Sequence, residues 1–219
     1  MCIRDSFNLT PEPLTHHSYQ NVFFAKDRRF QSKQLQDVSK LGIAAGTPPF
    51  TKREYCADYV LPPDTQMLGL LSHTHKRGEV FRIFDKANGE LLYETYYWED
   101  PDYVQFWPPR VYDSLDPAER TLEYCAVYNN GVRPDGTPDT QTVTRLSLKP
   151  DRSTCVPVAC AEGRIGEACD GPDDHATCDS EPGAADGFCD ACVITRGLTS
   201  DDEMFVLIVE VQVPNDQGD

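Results

Sequence analysis

Residues 79–98 read EVFRIFDKANGELLYETYYW, and this stretch decides how the chain folds. Two runs rich in branched and aromatic side chains, 79–85 and 90–98, flank Asn88-Gly89. An Asn-Gly pair tolerates the positive backbone angles of a tight hairpin, so the stretch predicts two antiparallel strands. The same texture recurs outward in both directions, in SYQNVFFA, REYCADYVL, MLGLLSHTH, TLEYCAVY, TVTRLSL and MFVLIVEVQV. Each run is short and is bounded by Pro, Gly, Asn or Asp. No window carries apolar residues at helical spacing between caps. About eight strands and few helices predict an all-β protein, an antiparallel β-sandwich or jelly roll. In the last run Phe205, Leu207 and Val209 alternate with Met204, Val206 and Ile208. Both sets are apolar, so this strand is predicted to be central and covered on both faces.

The bulk composition narrows the function classes. A chain of 219 residues with 39% hydrophobic residues can bury a core. Its 20 basic and 36 acidic residues give a net charge of −16, which argues against a nucleic-acid partner, since phosphate binding needs a basic face. No apolar run is long enough to span a membrane.

Of nine cysteines, six fall between 155 and 192, with the spacing C-x4-C-x8-C-x8-C-x10-C-x2-C. Residues 151–196 are too poor in large apolar side chains to build their own core, and they read as a Cys-rich insertion in the sandwich. Zinc would favour paired C-x2-C knuckles, of which only Cys189 and Cys192 supply one. Three disulfides fit better and imply an extracytoplasmic setting: periplasm, cell surface or secreted. The Asp-dense turns lack EF-hand spacing and read as solvated acidic loops. Residues 1–6, MCIRDS, read as a non-native leader and contain no apolar signal core.

His73 and His75 are two of only five histidines, one residue apart in a predicted strand. Strand residues at i and i+2 project to one face, so two imidazoles could address one metal ion. Spacing alone is equally compatible with two surface histidines, and imidazole suits copper, zinc, iron and nickel alike.

The wider pattern resembles a known family. YVLPPDTQMLGLLSHTHKRGEVFRIF, GELLYETYYW, TLEYCAVYNNG and TSDDEMFVLIVEV occur in the order and character of the C-terminal domain of the copper type II, ascorbate-dependent monooxygenases. That family includes peptidylglycine alpha-hydroxylating monooxygenase, dopamine beta-monooxygenase and bacterial relatives. FNLTPEPLTHHSYQNVFF resembles the opening strand of the same domain, so the likeness covers most of 7–150 and 197–219. The resemblance implies a catalytic copper held by His73, His75 and Met204, which would serve as both metal ligands and catalytic residues. A thioether favours Cu(I), and neutral imidazoles tolerate both oxidation states. It further implies dioxygen as co-substrate, ascorbate as electron donor, and a second copper in a preceding homologous domain that this chain does not contain, so the chain reads as a fragment.

Several positions depart from the family pattern. The amidating members anchor a substrate carboxylate through side chains at the positions of Leu71, Val206 and Ile208, all apolar here. A peptide ending in glycine is therefore disfavoured, and an apolar or aromatic small molecule or peptide is favoured. Phe205 stands where those members carry a cysteine, so Cys125 needs another partner, for which Cys56 is a candidate. His16, His17 and His175 read as surface residues. The expectation is a copper monooxygenase-like domain hydroxylating a C–H bond. Its rivals are a secreted copper-binding sandwich without catalysis and a ligand- or glycan-binding jelly roll.

Overall fold

Strand-forming runs dominate the chain, and the computed structural model, which describes residues 30–139, 155–159, 188–194, 196–197 and 202–214, arranges them in antiparallel sheets. The elements are β1 (Phe30–Asp37), β2 (Thr51–Val60), β3 (Thr65–His73), β4 (Gly78–Asp85), β5 (Glu90–Thr95), β6 (Val104–Tyr112), β7 (Thr121–Asn130), β8 (Cys155–Ala159), β9 (Phe188–Cys192) and β10 (Val206–Pro214). One sheet has the order β1-β10-β3-β6 and the other β2-β7-β4-β5, each with four strands. Their inner faces share one core, as a β-sandwich requires.

The core is aromatic at its centre. Phe205 from β10's lead-in stacks on Tyr124 of β7 at 4.6 Å and lies 5.4 Å from Phe81 of β4. Leu207, Val209 and Val211 join the same core, while Val206 and Ile208 face the other way and are also buried. β10 is therefore a central strand apolar on both faces, as its composition predicts. Buried hydroxyls are matched across the sandwich: Tyr124 donates to Asp37 at 2.7 Å, and Ser72 and Tyr93 share a hydrogen bond at 3.0 Å.

The β4–β5 hairpin turns where Asn88-Gly89 predicts. Gly89 has φ of 73°, and its N–H donates to the Asp85 carbonyl at 2.8 Å. Cys56 and Cys125 are direct register partners on β2 and β7 and form a disulfide with Cα atoms 4.0 Å apart. The partner suggested for Cys125 is thus the one it has.

Three features differ from the sequence reading. β1 and β6 were not expected, because FQSKQLQD is amide-rich and VQFWPPRVY carries two prolines. Both are edge strands, where a proline costs no ladder bond, and the prolines fall where the β3–β6 register shifts. The MLGLLSHTH strand ends at His73, so His75 lies beyond it, in the turn that carries the chain from one sheet to the other. Inside the Cys-rich segment, where no strand was expected, β8 and β9 pair as an antiparallel ribbon with Cys155 opposite Cys192. SYQNVFFA, TVTRLSL, His16, His17, His175 and most of 151–196 lie outside the described residues. Among the described residues no helix is long and apolar enough to cross a membrane.

Candidate metal centre

β3 sets the direction of the first histidine. Ser72 points inward to Tyr93, so by alternation His73 faces outward from the sandwich. Its register partner is Val206, which faces outward between the core residues Phe205 and Leu207. Met204 stands two residues before Val206, half-buried, on the segment leading into β10. Leu71 pairs with Ile208 one step further along. His73, Leu71, Val206 and Ile208 thus share one face, on which the three aliphatic side chains form an apolar strip beside His73.

Although His75 is past the end of β3, its ring lies 5.1 Å from that of His73, edge to face. Three contacts hold it there. The Glu203 carboxylate accepts from the His75 backbone N–H at 3.0 Å and from the Arg77 backbone N–H at 2.6 Å. The His75 Nδ1 lies 2.8 Å from the Asp202 carbonyl. A carbonyl only accepts, so Nδ1 donates to it. Donation from one ring nitrogen to a fixed acceptor is how a metal-binding histidine is usually oriented. Behind it, Gly78 donates to the His75 carbonyl at 2.9 Å, and the Asn129 N–H of β7 donates to the Arg77 carbonyl at 2.9 Å. The turn is tied to both sheets.

The electrostatics favour the neutral form of His73. Burial, with a smaller contribution from the His75 charge, lowers the His73 pKa. Burial also raises the Glu203 carboxyl pKa, while the Arg77 and His75 amides and the Arg77 charge act in the opposite direction and bind the ionised form. Met204 is fixed through its main chain: the buried Tyr128 hydroxyl donates to its carbonyl at 2.5 Å.

Among the described residues no three His, Cys, Asp or Glu side chains converge as a metal site. Met204, on the segment leading into β10, carries a thioether, a donor type outside that set. Two neutral imidazoles and a thioether are a donor set suited to Cu(I) and poorly suited to hard oxygen-seeking cations. The sequence pattern singles out His73, His75 and Met204, but not the parts played by Asp202, Glu203 and Tyr128. The available signal was three consecutive acidic residues, Asp201, Asp202 and Glu203, two positions before a strand that is apolar on both faces, a place where a charge is costly unless it is used.

A comparison with known protein families and with curated proteins finds no match to this chain.

Proposed function

We propose that this β-sandwich is a copper domain of the monooxygenase type, with His73, His75 and Met204 as ligands. The observation that carries the reading is the pairing of His73 and His75 at 5.1 Å, with the His75 tautomer set by the Asp202 carbonyl two residues before Met204. When bound, copper supplies the one-electron chemistry with dioxygen through which a C–H bond is hydroxylated. The chain's own residues do the positioning. Val206, Ile208 and Leu71 make the face beside His73 apolar, which disfavours a carboxylate-anchored peptide and suits an apolar substrate. The reading entails ascorbate as electron source and a homologous copper domain as partner. The Cys56–Cys125 bridge supports an oxidising, extracytoplasmic setting.

The test is an anaerobic competition titration with Cu(I) on oxidised protein, so that thiols of the Cys-rich segment do not compete. Wild type should take up one tightly held ion. His73→Ala, His75→Ala and Met204→Ala should each weaken it by more than the roughly ten- to hundredfold typical of losing an outer partner of a ligand. Unchanged affinity in all three variants, with folding verified by circular dichroism, would leave a β-sandwich without this site.

A further inference from the structure

The ladder between β3 and β10 stops at the His73–Val206 pair. Continued by two residues it would set His75, amide included, opposite Met204 in the lead-in to β10. Instead that amide donates to a side chain, the Glu203 carboxylate, whose other oxygen takes the Arg77 amide. Glu203 is only 1% exposed, so this carboxylate is not a surface ornament. Both oxygens are engaged by backbone N–H groups two residues apart in the crossing turn, a chelate that fixes the turn as a unit. Asp202 beside it adds the ring contact to His75 Nδ1. The backbone of Glu203 is itself bridged to Arg196, and Gly197 packs so closely on the Asp202 side chain that a Cβ there would lie 1.9 Å from Oδ2. The 202–203 segment is thus held from behind while it grips His75 in front.

We infer that Glu203 is a positioning residue that replaces the missing ladder step and holds His75 at a fixed place relative to His73 and the Met204 segment. The inference rests on the copper reading for its functional meaning, but the clamp itself is made by this chain's own atoms alone. It assigns the acidic residue before Met204 a role in building the site without being a ligand. Length matters here: the side chain must span from the lead-in of β10 to two amides of the neighbouring turn. Glutamine keeps the length but has a single acceptor oxygen, so it can serve one amide and not both. Alanine serves neither.

Amide hydrogen exchange on metal-free wild type, Glu203→Gln and Glu203→Ala tests the clamp directly. The amides of His75 and Arg77 should exchange about ten- to hundredfold faster in Glu203→Ala, with one of the two protected again in Glu203→Gln. The amide of Asn129, which binds the Arg77 carbonyl, and the Tyr124 amide in the centre of β7 serve as references for local and global opening. Should Glu203→Ala not fold, the Glu203→Gln comparison decides alone. Wild-type exchange at both amides in every folded variant overturns the inference. The same variants loaded with Cu(I) give the second readout, X-ray absorption. Retention of a wild-type ligand set and affinity by Glu203→Ala would overturn the positioning role even if exchange accelerates. A wild-type protein that binds no Cu(I) through imidazole and sulfur would instead defeat the copper reading, and amide exchange would then judge the clamp by itself.

Discussion

Replacing Cys56 and Cys125 together by alanine should destabilise the sandwich mainly through its unfolded state. The bridge joins residues 69 apart in sequence, and in the unfolded chain it excludes every conformation in which that loop is open. The chain-entropy relation gives about 4 kcal/mol for a loop of this size. Little else should contribute. Cys56 is exposed, and Cys125, although itself buried, is on the outward side of β7, since Tyr124 and Ala126 point into the core. The ten-residue register of β2 and β7 remains available to hold the strands without the bridge. Urea unfolding of the double variant against oxidised wild type measures the difference, and m should rise because the released chain exposes more surface. The double variant is cleaner than chemical reduction, which would also act on the six cysteines between 155 and 192. A loss below about 1 kcal/mol would refute the loop-entropy reasoning. Peptide mapping that links Cys125 to any of those six would refute the pairing itself.

Other perturbations probe the core and the site separately. Phe205→Ala empties a fully buried position stacked on Tyr124 and should cost about 3–5 kcal/mol in urea unfolding, enough to leave a marginal fold. Gly78→Ala would bring a Cβ to 2.4 Å from Thr74 Oγ1 and 2.7 Å from its Cβ, so the turn carrying His75 must shift. It should cost about 1–3 kcal/mol and weaken Cu(I), whereas Gly89→Ala, strained by its φ but meeting nothing, should cost stability and leave Cu(I) binding unchanged. Burial works against the Asp37 charge, but hydrogen bonds from Ser39 and Tyr124 outweigh it and keep its pKa below the ordinary 3.8. A depressed carboxyl contributes stability above its unfolded pKa and loses it as pH falls through the folded one. The stability gap between wild type and Asp37→Asn should hence be constant above about pH 4 and shrink below it; a gap that widens on acidification would contradict this.

How far the sequence was legible depends on whether the determining contact was local. The β4–β5 hairpin was readable because Asn88-Gly89 fixes its turn from within. The central place of β10 was readable because both of its faces are apolar. β1 and β6 were not, because an edge strand needs only one good ladder and tolerates the amides of one and the prolines of the other. The histidine pair was readable as a spacing, yet the reason the rings meet was not. The strand ends before His75, and what holds His75 is a carboxylate 128 residues away in sequence. Such a long-range side-chain contact leaves only a faint local trace, here the acidic run Asp201–Glu203 before an apolar strand.

The most direct measurement is Cu K-edge X-ray absorption on the Cu(I)-loaded protein, comparing wild type with Met204→Ala. Coordination by two imidazoles and one sulfur in wild type, with the sulfur contribution lost in the variant, is the expected result. A spectrum without sulfur, or one that Met204→Ala leaves unchanged, would contradict the ligand set and leave Met204 as a packing residue at the head of β10.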